Sequence, residues 1–249
     1  MNSSAVHHTR IAVRRIFLLF AVLASSAATG ADTVTESRPI GNVRTVRLIG
    51  SADLVLTQSD TPSLRVEGEK DTIKYLKAEM RGDELMLSYE PRGVSGWWSS
   101  SDRKSARFLL SAKTLDRIST AGNGDVRSES FTVPGDFEIA IAGSSDIKFG
   151  ALAARKLLVR ISGAGDVTLG GGVLEQNVRI AGSGDYHGAA LQSATATISI
   201  GGSGDATVWA RDSLSVKIAG SGDVKYYGRP AISRSIAGSG SITGLGDKP

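Results

Sequence analysis

The chain has 249 residues, with 29 Lys and Arg against 25 Asp and Glu, 30 glycines and no cysteine. Without cysteine there is no disulfide, no thiolate nucleophile, no Cys-ligated zinc or iron–sulfur cluster and no lipid-bearing cysteine. The formal charge of +4 comes largely from residues 1–31, which hold Arg10, Arg14 and Arg15 and no acid. The rest is close to neutral, which removes the charge argument for a nucleic-acid partner.

Residues 1–31 read as a signal peptide. A basic stretch ends in Arg14 and Arg15, the apolar run Ile16–Ala24 follows, and small residues continue to Ala31. Cleavage after Ala27 or after Ala31 fits the small-x-small rule, and VRRIFLL also has the twin-arginine pattern. The apolar run falls short of the ~20 residues that a membrane helix needs, and no later segment supplies them. The expectation is therefore a periplasmic or secreted protein without a transmembrane segment in its mature chain.

Residues 32–115 form the first of two expected parts, an N-terminal β-rich lobe. VRTVRLIGSADLVLTQ (43–58) alternates apolar and polar residues on both sides of a GSAD corner that holds Asp53, so it reads as strand, corner, strand. SLRVEGE (63–69), ELMLSYE (84–90) and ARFLLSA (106–112) are further strand candidates. DTIKYLKAEM (71–80) is the one segment whose spacing fits a helix or helical turn, with Asp71 as its N-cap. The polar loop GVSGWWSSSDRK (93–104) carries Trp97 and Trp98, which are candidates for a ligand or partner contact, or for a fold-back over a solenoid end.

Residues 116–249 hold 23 of the 30 glycines and form a glycine-rich lobe with a C-terminal cap. ISTAGNGDV, IAIAGSSDI, VRISGAGDV, VRIAGSGDY, ISIGGSGDA, VKIAGSGDV and RSIAGSGSI follow one another. They place Asp125, Asp146, Asp166, Asp185, Asp205, Asp223 and finally Ser241 at steps of 18 to 21 residues. A fixed period of this length is the mark of a solenoid. Period-two alternation before and after each corner makes both arms strands. The fold expected is all-β, a right-handed parallel β-helix or β-solenoid with coils of about 20 residues. In it Ile141, Ile161, Ile180, Ile200, Ile218 and Ile236 stack inward. Arg234 and Ser241 interrupt the pattern in the last copy, as a cap on a sheet edge requires.

These turns, the opening V-x-L-x-G-S-A-D-L unit and the closing VKYYGRPAI (224–232) resemble the GIN domain, the head domain of auto-transporter adhesins, over residues 38–246. The resemblance implies a β-solenoid in two stacked lobes and carries over no catalytic residue. The sequence differs from that label in having no C-terminal translocator barrel, and it lacks the cysteine of the lipoprotein members. The expectation that follows is a non-enzymatic, exported domain that serves as an envelope interaction or adhesion surface toward an envelope protein or polysaccharide. The alternative is a carbohydrate-binding or carbohydrate-active β-helix that uses the Asp corners or the Trp97/Trp98 loop.

The Asp corners are the sharpest candidates for chemistry. Carboxylates one coil apart repel unless amides, bases or a cation compensate them. The first reading has each Asp closing its own corner through backbone amides. The second makes Asp146, Asp166, Asp185 and Asp205 calcium ligands, although their spacing differs from the nonapeptide calcium roll. His187 is the one histidine beyond the leader, so zinc could be held only with the help of carboxylates. A Ser183/Asp185/His187 triad is set aside, because nearness in sequence along a strand does not make side chains converge. No cofactor is expected, with calcium as the cation that the ladder could take.

Overall fold

The computed structural model describes residues 33–90 and 106–248. In chain order the strands are β1 (Thr33–Arg38), β2 (Thr45–Gly50), β3 (Asp53–Gln58), β4 (Ser63–Glu69), β5 (Leu76–Arg81) and β6 (Glu84–Tyr89). Next come β7 (Arg107–Ala112), β8 (Arg117–Gly122), β9 (Val126–Thr132), β10 (Asp136–Gly143), β11 (Ile147–Gly163) and β12 (Val167–Gly182). The chain finishes with β13 (Tyr186–Ile200), β14 (Ala206–Gly220), β15 (Val224–Tyr227), β16 (Ala231–Gly238) and β17 (Ile242–Gly244). All three strand candidates of the first lobe and both arms of the 43–58 unit are strands.

The strands stack as the coils of a β-solenoid. One face runs β6, β2, β8, β10 and then the second halves of β11 to β14, ending in β16, with every pairing parallel. The other runs β7, β3, β9 and then the first halves of β11 to β14, ending in β15 and β17, again parallel throughout. The coil 43–58 lies directly on the coil 117–132 through β2–β8 and β3–β9, so the two halves of the sequence share one hydrogen-bonded sheet. At the N-terminal end β5 pairs antiparallel with β6, β4 with β7, and β1 with β4, which closes that end with hairpin-like strands.

Side-chain alternation explains the core. Ile141, Ile161, Ile180, Ile200 and Ile218 are in register and at most 2% exposed, each stacked on the next at about 4.8 Å. Burying one such side chain contributes roughly 1.5–3 kcal/mol. Phe131, Phe137 and Phe149 cluster inside the solenoid with ring centroids 5.8–6.4 Å apart. The inward row ends at Ile236, which is 40% exposed on β16.

One expectation holds only in its lesser form, a helical turn. Residues 71–80 are not a helix: only Ile73–Tyr75 make a 3-10 turn, preceded by Thr72 without a side-chain cap bond, and Leu76–Arg81 form β5. The antiparallel partner β6 supplies six paired positions from Leu76 to Arg81, and this ladder outweighs the local helical spacing. Tyr89 opposes Leu76 in that hairpin, and burial first, then the neighbouring Tyr75, raises its phenol above the ordinary range.

Candidate functional site: the aspartate ladder and its flanking cleft

Each corner follows a glycine of positive φ at or just beyond the end of the preceding strand. Gly163 shows why the residue is needed: its φ is +134°, and a Cβ there would lie 2.1 Å from the carbonyl oxygen of Gly143 in the preceding coil. No side chain fits between coils that approach so closely.

The next donors and acceptors decide what the aspartates do. The carbonyl of Asp146 accepts the N–H of Val126 in the preceding coil, and the N–H of Asp146 also faces that coil. A backbone that turns both groups the same way needs a side-chain acceptor opposite its N–H, and Oδ1 of Asp125 accepts it at 3.0 Å. The motif repeats along the row. Asp146 accepts from the Asp166 amide at 3.1 Å, Asp166 from Asp185 at 2.8 Å, Asp185 from Asp205 at 2.7 Å and Asp205 from Asp223 at 2.8 Å. Asp53 starts it by accepting from Asp125 at 3.0 Å, and Asp223 ends it by accepting both the amide and the hydroxyl of Ser241 at 2.8 Å. The expectation that each Asp closes its own corner is therefore corrected: each carboxylate binds the next coil. Those two Ser241 bonds, the hydroxyl first, hold the Asp223 carboxyl below its ordinary range.

On the outward side of the strand, two residues after each Asp, runs a second row: Arg127, Lys148, Thr168, His187, Thr207 and Lys225, all in register. A cleft of about 800 Å³ opens on this face, lined among others by Arg127, Glu129, Lys148, Asp166, Thr168 and His187. Arg127 pairs with Asp125 at 3.4 Å. Oxygen atoms of Asp166 and Asp185 and a ring nitrogen of His187 all lie within 4.8 Å of one another. Asp146 and Asp205 belong to the same ladder and stand outside that trio. No hydrogen bond among the described residues joins Ser183 to Asp185 or His187. Trp97 and Trp98 lie outside the described residues.

Sequence reasoning missed a polar cluster inside the core. Tyr186 occupies an inward position of the row that holds Val126, Ile147, Val167 and Ala206. Its hydroxyl donates to Oε1 of Gln176 at 2.9 Å, while Nε2 of Gln176 donates to Oγ of Ser193 at 2.8 Å. Ser193 in turn donates to the carbonyl of Trp209 at 3.1 Å. Burial pushes the Tyr186 phenol far up, so it stays a donor. The signal was present in the sequence as a tyrosine in an aliphatic row, followed two residues later by Gly188. A Cβ at Gly188 would lie 2.5 Å from the Tyr186 ring.

Stacked parallel coils joined by a carboxylate-to-amide ladder define a β-solenoid. Residues 42–230 match the family described as "Putative auto-transporter adhesin, head GIN domain", and the chain belongs to that family. Among solved structures it resembles a "putative adhesin" from Bacteroides fragilis, at 24% identity and a TM-score of 0.77, covering 86% of this chain and 97% of the other. A "putative lipid binding protein" from Parabacteroides distasonis is 26% identical with a TM-score of 0.66, covering 87% and 98% of the two chains. A "putative adhesin" from Parabacteroides merdae is 18% identical with a TM-score of 0.66, covering 87% and 97%. No curated protein matches the chain.

Proposed function

We propose that this chain is a non-enzymatic interaction domain, exported by the leader read in residues 1–31 and acting as an adhesion surface in the cell envelope. The observation that carries this reading is the ladder itself. One oxygen of every corner carboxylate holds the amide of the following coil, so the carboxylates serve to join coils rather than as an acid and base for hydrolysis. The family description and the names of the neighbours speak of adhesion and, in one case, of lipid binding. What remains available on the outside is a stiff array of side chains at a strand spacing of about 4.8 Å, with a cleft between Arg127, Lys148 and His187.

Beads coated with the mature chain and mixed with intact bacterial cells test the proposal. Wild-type beads should adhere, and beads carrying Arg127→Glu with Lys148→Glu should adhere at least about tenfold less, the factor that a loss of roughly 1.4 kcal/mol produces. Equal retention of both bead types would refute the assignment of this face. Release of reducing sugar from envelope polysaccharide, lost in Asp166→Ala, would refute the non-enzymatic reading.

A further inference from the structure

We propose that Asp166, Asp185 and His187 form a binding site for one divalent transition ion, with Zn²⁺ as the representative. The site goes beyond the adhesion reading and does not depend on it. The ligand atoms of the three residues lie within 4.8 Å of one another, close enough to surround a single ion. The arrangement follows from the fold. Asp185 lies in the corner just before β13 and His187 is that strand's second residue, while Asp166 precedes Asp185 by one coil in the ladder.

Three further observations favour a cation here. Oδ1 of Asp166 and Oδ1 of Asp185 each accept one amide, at 2.8 Å and 2.7 Å, which fixes the carboxylates and leaves the second oxygen of each for a metal. The charge pattern also singles out this part of the ladder. The residues two places after the aspartates are Arg127, Lys148 and Lys225 toward its ends, but Thr168, His187 and Thr207 after Asp166, Asp185 and Asp205. Toward the ends, Asp125 pairs with Arg127 at 3.4 Å and Lys225 attracts the Asp223 carboxylate. Finally, the segment that carries two of the ligands is anchored from inside. Tyr186, between them, is 0% exposed and bonded to Gln176, so Asp185 and His187 are held in position from below.

An imidazole nitrogen with two carboxylate oxygens suits zinc and its neighbours better than calcium, which prefers six to eight oxygens. Three protein ligands leave a fourth position open to water or to an anionic group of a partner, at the edge of the cleft that Asp166 and His187 line.

Isothermal titration of the chelator-stripped mature protein with Zn²⁺, and separately with Ca²⁺, tests the site. The expected result is one Zn²⁺ per chain, with affinity reduced by at least about tenfold in His187→Gln and in Asp166→Asn. Calcium should bind more weakly and equally in wild type and His187→Gln. His187 is exposed, so His187→Gln should melt like the wild type without metal; zinc should raise the melting temperature of the wild type alone. In NMR spectra the His187 ring resonances should shift on zinc addition. Equal zinc affinity in wild type and His187→Gln, or no saturable zinc binding, would overturn the proposal.

Discussion

Replacing Asp166 by alanine removes the acceptor of the Asp185 amide, a group that faces the preceding coil and has no backbone carbonyl opposite it. The expected cost is about 1–3 kcal/mol in urea unfolding. Asp166→Asn keeps a carbonyl acceptor at the same place and relieves one like-charge repulsion, so its cost should be less than half as large. If both variants lose the same stability, the bond is not what the carboxylate contributes. Tyr186→Phe should cost about 1–3 kcal/mol by a related mechanism, because it leaves Oε1 of Gln176 buried without its donor. At Asp223 the sign runs with pH. Its folded value lies below the ordinary 3.8, so the Ser241 bonds stabilise the last coil fully above 3.8, and that contribution fades as pH falls through the folded value. In an NMR titration of Ser241→Ala the Asp223 midpoint should move up toward 3.8; an unmoved midpoint would show that Ser241 is not the cause.

The corner is where a single element can be broken cleanly. Gly163→Ala would force a Cβ to within 2.1 Å of the Gly143 carbonyl oxygen at a φ of +134°, so it should cost more than about 3 kcal/mol or prevent folding. Gly172→Ala is the matched control. The nearest atom to its Cβ is 3.9 Å away, and unfolding should shift by under about 0.5 kcal/mol. Elements of this kind were legible in the sequence because their signals are local. Apolar alternation around Ile161 and Ile180 gave the strands, and the recurrence of Gly and Asp gave the corners and the period. The helix or helical turn expected at 71–80 is confined to Ile73–Tyr75, because the pairing of Leu76–Arg81 with β6 is set by residues further along the chain. The same limit applied to the ladder. Asp and its turn were visible, but whether the carboxylate bonds its own corner or the next one depends on how coils stack. The trio of Asp166, Asp185 and His187 was likewise split across two repeats, and only register brings it together.

In the whole molecule the two ends differ. The N-terminal end is closed by antiparallel strands, whereas β16 is exposed along its length, with Ile232 at 43% and Ile236 at 40%. Arg234 occupies the position in register with the buried Val216, so a charge stands where another coil would need an apolar side chain. Stability in such a stack is a sum over neighbouring coils, and an end coil has one neighbour instead of two. Amide hydrogen exchange should therefore be fastest in β16 and β17 and slowest in β11 to β13; uniform protection from β10 to β17 would contradict this. The carboxylate bonds add a direction to the stack. Every one of them runs from an acceptor earlier in the chain to an amide later in it, from Asp53 through to Ser241. The ladder is therefore polar along the solenoid axis: at one end Asp53 accepts, at the other Ser241 donates, and the two ends of the row cannot be exchanged.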